Sequence, residues 1–256
     1  MTKSLDIDPE WVNHMRIPDF KKSYQVLTRS LGKSHSQEEA MHLAVGGDFE
    51  AVGQLEYALL VQNGLQKSNT IIDVGCGSGR LAFQLREYLE GLYIGMDVVE
   101  DLYKYAEKIC ERPDWKFYMA PGLSIPEKDG CADFICFFSV FTHLLHEESY
   151  QYLKEAARVL KPGGKIIISF LEFKIPSHFA LFEQSLKETR PDKVLTQFIS
   201  RDALLSWASH CDLEVIGIFD GDKPFIKLNT PIKWDNGNEM VGEGTFGQSV
   251  CVLSKR

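Results

Sequence analysis

Apolar residues along this chain fall into short runs that alternate with amphipathic segments from Thr70 onward. Such runs, separated by helical segments of about 10–15 residues, indicate parallel βαβ units. The predicted strands cover 70–74, 92–96, 115–119, 132–138, 164–170, 212–219 and 247–253, and the predicted helices among them cover 78–90, 99–110, 147–160 and 201–210. No helical pattern separates the last two strands, so we expect them to pair antiparallel.

The first 65 residues show a helical pattern without strands. Ser36 followed three residues later by Glu39 has the spacing of a capping box, which marks a helix start. Phe49 to Gln62 carries apolar residues at helical spacing. We therefore predict a helical segment over 1–65, followed by a domain over 66–256.

Two stretches interrupt the alternation, one over 171–200 and one over 220–245. Loops of this length are uncommon and are often functional. We expect these insertions at or beside the carboxyl ends of the strands, where open α/β sheets bind ligands. The alternative is that both are variable or disordered loops.

Composition narrows the class of protein. The 256 residues fit one domain with additions, or two small ones, and the net charge of -8 argues against a nucleic-acid partner. The six cysteines form no C-x-x-C pair and lie mostly in apolar runs, which predicts small buried side chains in a reducing compartment. The N-terminus lacks a signal-like apolar core, and no apolar run reaches membrane-spanning length. We expect a cytoplasmic location and no membrane partner.

The segment from Thr70 to Arg80 holds the most informative chemistry, because a short strand leads into a glycine-rich turn and then a helix. Glycines in such a turn let a ligand approach the backbone. Asp73 lies two residues before Gly75, and its charge would repel a pyrophosphate by about 1–4 kcal/mol at contact range. The third glycine of a dinucleotide motif is replaced by Arg80, and no G-x-x-x-x-G-K-[ST] loop occurs. The turn therefore favours a nucleoside ligand with a cationic end and no phosphate.

The run Asp73-Val74-Gly75-Cys76-Gly77-Ser78-Gly79 resembles D-x-G-x-G-x-G, the first cofactor motif of the class I S-adenosylmethionine-dependent methyltransferases of small-molecule type. The resemblance extends from about Thr70 to the C-terminus. It implies a doubly wound, Rossmann-like, mostly parallel seven-stranded sheet with an antiparallel last strand. It also implies an N-terminal helical cap over the site, although a mere packing layer is the alternative. S-adenosylmethionine is the implied cofactor, S-adenosylhomocysteine the product, and no metal is expected.

Asp97 ends the second predicted strand, near the spacing expected of an acid that binds ribose hydroxyls. The alternative for Asp97 is a cap for the following helix. Arg80 could pair with the methionine carboxylate of the cofactor or with Asp73, or be structural. Ala120 stands where many relatives have an adenine-binding acid, so backbone groups near Gly122 and Leu123 are the hypothesis for that role.

By resemblance, Ser139 and Val140 line the cofactor, and the hypothesis for Val98 is that it forms one face of a sandwich around the adenine. The complete predicted set of cofactor-binding residues is Asp73, Gly75, Cys76, Gly77, Gly79, Arg80, Asp97, Val98, Gly122, Leu123, Ser139 and Val140.

Two residues are candidates for catalysis. His143 lies in a segment, S-V-F-T-H-L, that resembles the one beside the substrate in small-molecule methyltransferases, and its ordinary pKa near 6.5 suits a general base. Glu172 follows the fifth predicted strand and could orient or deprotonate an acceptor. The alternatives are a structural or binding histidine and a solvated loop glutamate.

The absence of motifs typical of other methyltransferases limits which kind of molecule can accept the methyl group. The position of the [DN]-P-P-[FYW] segment of nucleic-acid N-methyltransferases is occupied by Phe138-Ser139-Val140-Phe141, and no Pro-Cys pair is present. Neither a paired-glutamate hairpin nor an acidic metal-ligand set is evident. The sequence predicts a metal-independent enzyme that methylates a sugar or secondary-metabolite hydroxyl. The alternatives are a small-molecule N-methyltransferase and a cofactor-binding regulator without turnover, and the oligomeric state is not indicated.

Overall fold

The predicted alternation of strands and helices is present in a computed structural model that describes residues 20–188 and 193–256. The start of the predicted N-terminal helical segment therefore lies outside the described residues. The helices are α1 (Phe20–Leu31), α2 (Gln37–Ala44), α3 (Phe49–Gln62), α4 (Arg80–Leu85), α5 (Glu100–Cys110), α6 (His146–Val159), α7 (Pro176–Ser185) and α8 (Arg201–His210). The strands are β1 (Ile71–Val74), β2 (Tyr93–Asp97), β3 (Lys116–Met119), β4 (Ala132–Phe137), β5 (Leu160–Phe170), β6 (Leu213–Phe219), β7 (Ile226–Lys227), β8 (Ile232–Lys233), β9 (Glu239–Met240), β10 (Glu243–Gly244) and β11 (Ser249–Lys255).

Seven of these strands form one sheet in the order β3-β2-β1-β4-β5-β11-β6. The first five strands in this order, β3, β2, β1, β4 and β5, pair in parallel. Strand β11 lies between β5 and β6 and is antiparallel to both. This arrangement confirms the predicted Rossmann-like fold and its antiparallel last strand. The order reverses at β1, which places the ends of β1, β2 and β4 around the crevice where such sheets bind ligands.

Apolar side chains alternate between the two faces of the sheet, as the period of two in a strand requires. Ile72 and Ile94 belong to one buried cluster, which α6 and α8 cover. Ile71 and Tyr93, their neighbours in sequence, belong to a second cluster, which α3 covers with Leu55 and others. The sheet is thus covered by helices on both faces, and its central strands β1, β2 and β4 are almost entirely buried, whereas the edge strands β3 and β6 are partly exposed.

Two of the helices before β1, α2 and α3, begin where the sequence predicted. Ser36 caps α2 in a complete capping box, because its hydroxyl accepts from the Glu39 N–H while the Glu39 carboxylate accepts from the Ser36 N–H. The bounds of α3 match the predicted helix, and the Asp48 carboxylate caps it through the Ala51 N–H.

Some predicted bounds differ from the observed ones. Helix α4 is shorter than the predicted 78–90 and ends at Leu85, while β5 begins at Leu160 rather than at 164. Leu160 already pairs with Ala132 of β4 before the register shifts, so strand pairing extends through a Pro-Gly-Gly segment that reads locally as a turn.

Each insertion has secondary structure of its own. The stretch 171–200 contains α7, and 220–245 forms two short antiparallel strand pairs, β7 with β10 and β8 with β9. The second insertion packs on α3, where Gln62 bonds the backbone of Phe225 and Lys227. The described part of the chain has no helix long and apolar enough to cross a membrane.

Candidate active site

A cavity opens at the carboxyl ends of β1, β2 and β4, the position predicted for the ligand site. Nine of the twelve predicted cofactor-binding residues line it: Asp73, Gly75, Cys76, Gly77, Arg80, Asp97, Val98, Ser139 and Val140. His143 also lines the cavity, whereas Gly79, Gly122, Leu123 and Glu172 do not. The sheet therefore brings predicted residues from three separate stretches of sequence to one place.

The glycine turn after β1 needs its glycines for two physical reasons. Gly75 and Gly77 adopt φ values of 75° and 53°, which favour glycine. A Cβ on Gly75 would also lie 2.5 Å from Val140 Cγ2, and one on Gly77 would lie 2.5 Å from Val45 Cγ1. Gly79 serves packing rather than the cavity, because a Cβ there would lie 2.6 Å from the Cβ of Ala106 on α5.

Asp97 lies at the end of β2 and is buried. Its Oδ2 accepts from the Gly77 N–H and its Oδ1 accepts from the Val99 N–H, both at 2.9 Å. Burial raises the pKa of this carboxyl to about 6, although the backbone N–H groups oppose the rise. The carboxylate thus supports the glycine turn and the start of α5 together, and its remaining lone pairs are available to hydroxyl groups in the cavity.

Asp73 is 3% exposed on β1 and accepts a hydrogen bond of 2.6 Å from the Tyr93 hydroxyl. Burial raises its pKa to about 7, while the Tyr93 bond works in the opposite direction. This carboxylate is therefore held in a dry site where a cationic ligand group would favour its charged form.

Of the three alternatives for Arg80, the pair with Asp73 is not formed, since the ion-pair partner of Arg80 is Glu56, and binding of the methionine carboxylate stays a prediction. Arg80 Nε lies 2.7 Å from Glu56 Oε1, and its Nη1 donates to the carbonyls of Val45 and Gly46. Glu56 is 1% exposed and lines the cavity, a role that the sequence analysis missed. The sequence did contain a sign of this role, because Glu56 is a charged residue that follows Leu55 among the apolar positions of α3.

His143 closes a 3-10 turn, Phe141–His143, just beyond β4. Its Nδ1 lies 2.7 Å from the carbonyl oxygen of Leu195. Since a carbonyl can only accept, Nδ1 carries the proton, and the Nε2 of the neutral ring keeps a free lone pair. Burial lowers the pKa of His143, with the Leu195 bond opposing the change, so the ring is neutral at physiological pH.

Glu172 does not line the cavity, and its surroundings argue against the catalytic role predicted for it. The residue is 2% exposed and lies outside the cavity, where Arg201 Nε and Nη2 donate to its two carboxylate oxygens at 2.8 and 2.6 Å. The Ser249 hydroxyl donates to Oε1 as well. Burial would raise the pKa of Glu172, but the bonds from Arg201 and Ser249 outweigh it and hold the pKa below its usual value. A carboxylate so stabilised is a poor base, and it is not a solvated loop residue either.

Gly122 and Leu123, predicted to contact the adenine, do not line the cavity, and their contact with the adenine stays a prediction. The carbonyl of Gly122 accepts from the Tyr152 hydroxyl at 2.6 Å, and the wall of the cavity here consists of Val98, Leu102 and Ala120. The sequence analysis missed Leu102 and Tyr152, because their contribution depends on how α5 and α6 pack against the sheet.

The residues present suit S-adenosylmethionine better than a phosphate-bearing cofactor. Among residues 20–188 and 193–256, three carboxylates, Glu56, Asp73 and Asp97, line the cavity with one arginine, Arg80, which Glu56 already binds. A cationic methionine tail and ribose hydroxyls match this set, and the apolar wall suits an adenine ring. In residues 20–188 and 193–256, no cluster of three or more His, Cys, Asp or Glu side chains could hold a metal ion.

Comparison with known proteins agrees with this chemistry. Residues 72–168 match the family model described as a methyltransferase domain. Over 129 residues the chain is 30% identical to the demethylmenaquinone methyltransferase of Lactococcus lactis, covering 48% of this chain and 50% of that protein. It is 26% identical over 144 residues to the malonyl-[acyl-carrier protein] O-methyltransferase of Hahella chejuensis, covering 56% of this chain and 50% of that one. The chain thus spans about half the length of these curated relatives.

The fold is similar to that of the magnesium protoporphyrin IX methyltransferase of Synechocystis PCC 6803, solved with bound S-adenosylhomocysteine. The TM-score is 0.62 at 15% identity, and the match covers 97% of this chain and all of that one (100%). At this identity the similarity establishes the fold.

Proposed function

We propose that this protein, whose residues 72–168 belong to the class I S-adenosylmethionine-dependent methyltransferases, transfers the cofactor's methyl group to a hydroxyl of a small molecule. The observation that carries the proposal is the cavity itself. It combines the buried carboxylates of Asp73 and Asp97 with the unprotonated Nε2 of His143. A sugar or a secondary metabolite is the acceptor class we propose.

Each part of the cavity has a role toward the cofactor. Asp97 would accept from the ribose hydroxyls and Asp73 would bind the methionine ammonium, while Val98, Leu102 and Ala120 would surround the adenine. The sulfonium of the bound cofactor supplies an electrophilic methyl group. The protein's own task is therefore to align the acceptor in line with that methyl, and such positioning can contribute about 7–11 kcal/mol.

His143 would take the proton of the acceptor hydroxyl. Its lowered pKa keeps Nε2 unprotonated at neutral pH, and its Nδ1 bond to Leu195 fixes the ring orientation. A general base typically contributes about 10²–10⁴-fold in rate. We favour oxygen over nitrogen as the acceptor atom because a free amine needs no such base.

The helices before β1 would act as a cap over the site. Tyr24 of α1, Val45 after α2 and Glu56 of α3 all reach the cavity wall. The ring of Tyr24 meets that of His143 edge-on, with centroids 5.3 Å apart. Because the six cysteines are free thiols, a reducing compartment such as the cytoplasm suits the protein.

Calorimetry with S-adenosylhomocysteine, and with NAD as the competing ligand, tests the cofactor. We expect binding of the first and none of the second, and the reverse result would refute the proposal. Hydroxyl compounds and amines that raise the melting temperature beside S-adenosylhomocysteine would then be incubated with S-adenosylmethionine. Mass spectrometry would locate the added methyl, and methylation on nitrogen would favour the N-methyltransferase alternative.

A further inference from the structure

Three polar residues, Ser139, Ser169 and Gln248, form a closed hydrogen-bonded ring beside the cavity. The Ser139 N–H donates to Ser169 Oγ at 2.7 Å, and the Ser169 hydroxyl donates to Gln248 Oε1 at 2.8 Å. Gln248 Nε2 completes the ring by donating to Ser139 Oγ at 2.9 Å. The ring joins the end of β4 to β5 and to the approach to β11.

The direction of these bonds leaves the proton of the Ser139 hydroxyl unused. Ser169 both accepts and donates, and the Gln248 amide does the same with its two ends. Ser139 Oγ accepts from Gln248, but within the described residues its own proton reaches no acceptor. Since Ser139 lines the cavity, that hydroxyl is a donor available to a ligand.

The ring also holds Ser139 in an uncommon conformation. Its φ of 57° lies in the left-handed region, which a residue other than glycine rarely adopts. Such a conformation persists only where the surroundings determine it. The bonds from both Ser169 and Gln248 provide that constraint, so the hydroxyl has a fixed position.

The two sequence neighbours of Gln248 are each fixed by a hydrogen bond. The carbonyl of Gly247 accepts from His178 Nε2 at 2.9 Å, and the Ser249 hydroxyl donates to the buried Glu172. The ion pair of Glu172 with Arg201 therefore anchors the strand that carries Gln248. Glu172 thus has a structural role and is connected to the cavity through Ser249 and Gln248.

The position of Ser139 identifies the part of the ligand that it would meet. The next residue, Val140, fills the space above Gly75, two residues after Asp73. Asp73 is the residue proposed to bind the methionine ammonium, and Asp97 at the end of β2 marks the ribose. The Ser139 hydroxyl thus lies on the methionine side of the cavity.

The carboxylate of a methionine tail would need a donor there, and the glycine turn offers few. The N–H groups of Gly75 and Cys76 both donate to the carbonyl of Met96, and that of Gly77 donates to Asp97. Burying a carboxylate without hydrogen bonds is costly, particularly in a cavity that already holds three others.

We propose that Gln248 is a positioning residue, which orients the Ser139 hydroxyl as the donor to the carboxylate of the cofactor's methionine tail. This inference rests on the proposed function, because it assumes an S-adenosylmethionine ligand. It assigns a cofactor-related role to a residue of the C-terminal segment, 109 positions from the serine that it orients.

Calorimetry with two matched ligands tests the inference. S-adenosylmethionine and its decarboxylated form share the adenosine, the sulfonium and the ammonium, and only the first has the carboxylate. Ser139→Ala and Gln248→Met are each expected to raise the Kd for S-adenosylmethionine on the order of tenfold, the effect of one hydrogen bond to a charged group. The Kd for the decarboxylated ligand should change by less than about twofold, since its contacts are retained. Ser254→Ala, which removes a hydroxyl bonded to the Gly164 carbonyl elsewhere on β11, is the control and should change neither.

The double variant Ser139→Ala with Gln248→Met should bind S-adenosylmethionine no more weakly than either single variant, because both changes remove the same interaction. Equal losses for the two ligands, additive losses, or no loss would overturn the inference. Should Ser139→Ala fail to fold, Ser139→Gly tolerates the positive φ and replaces it. A wild-type protein that binds neither ligand refutes the proposed function instead, before any variant is compared.

Discussion

Replacing Asp73 by asparagine would separate two effects of this carboxylate, namely its cost to the stability of the empty protein and its contribution to cofactor binding. The side chain is 3% exposed, and its Oδ2 accepts from the Tyr93 hydroxyl at 2.6 Å. An asparagine has the same shape and its carbonyl can still accept that bond, so the substitution removes the charge and little else. We expect Asp73→Asn to stabilise the empty protein at pH 8 and to weaken cofactor binding.

The magnitude follows from the shift in the pKa. Burial raises the pKa of Asp73 from 3.8 to about 7, which at 1.36 kcal/mol per unit corresponds to about 4 kcal/mol. Between these two values the folded protein binds more protons at this site than the unfolded chain does. Stability contributed by the site is therefore fully present below pH 3.8 and is lost as the pH rises to about 7. The variant lacks this loss, so its advantage should grow from near zero at pH 4 to at most about 4 kcal/mol at pH 8.

Cofactor binding should show the opposite sign. The ammonium of the methionine tail favours the ionised carboxylate, so binding near neutral pH releases a proton from Asp73. The affinity of the wild-type protein should increase as the pH rises to about 7 and should then level off. Asp73→Asn should bind S-adenosylhomocysteine more weakly and with less dependence on pH. Asp97, whose pKa is about 6, titrates in both proteins. The affinity of the variant should therefore still depend on pH, to a smaller extent, below about pH 6.

Urea unfolding of both proteins without ligand at pH 5, 6, 7 and 8 measures the first effect. Calorimetry in two buffers of different ionisation enthalpy measures the proton released on binding, and Asn69→Ala, on the loop before β1, controls for nearby changes. Stability curves that stay parallel across this pH range would refute the argument, because they would mean that Asp73 does not change protonation on unfolding. Tighter binding by the variant would refute the assignment of the ammonium.

Three further predictions concern single residues. Asp97→Ala should raise the Kd for S-adenosylhomocysteine at least about tenfold in calorimetry through the loss of charge-assisted bonds, and an unchanged Kd would remove the ribose assignment. His143→Gln should lower turnover of the identified acceptor by about 10²–10⁴-fold while calorimetry shows S-adenosylhomocysteine affinity retained, and near-normal turnover would exclude His143 as the base. Glu172→Gln should lower the free energy of unfolding in urea by about 1–3 kcal/mol, because Arg201 loses its bidentate partner. An unchanged stability would show that Asp220, the other carboxylate on Arg201, compensates.

Features encoded within a few consecutive residues could be predicted from the sequence. The resemblance to the class I methyltransferases is confirmed, as are the seven-stranded sheet and its antiparallel strand. Strand ends locate the cavity because parallel strands present their carboxyl ends at one edge. Asp73 and Asp97 lie at such ends, so the pattern of apolar runs was enough to bring them together, whereas the place of Ser139 came from the resemblance to the family.

Features that depend on distant partners could not be predicted in this way. Glu172 follows a strand and has the local signature of a solvated or catalytic carboxylate, yet Arg201 buries it in an ion pair. Glu56 lies on a helix whose pattern predicts only packing, yet that face also borders the cavity. Nothing in the residues next to these glutamates indicates the arginine that will bind each one.

The partner of Arg80 decides how the cavity discriminates between ligands. Had Arg80 paired with Asp73, as the sequence allowed, the charge of that carboxylate would already be compensated and a phosphate would meet little repulsion. Instead Glu56 binds Arg80 at 2.7 Å, and among the described residues the neutral Tyr93 hydroxyl is the one hydrogen-bond partner of the Asp73 side chain. The uncompensated carboxylate is costly in the empty protein, which is why burial raises its pKa to about 7. A ligand that brings its own positive charge relieves this cost, whereas a phosphate increases it, so the preference for a cationic tail depends on a glutamate 17 residues before Asp73 in the sequence.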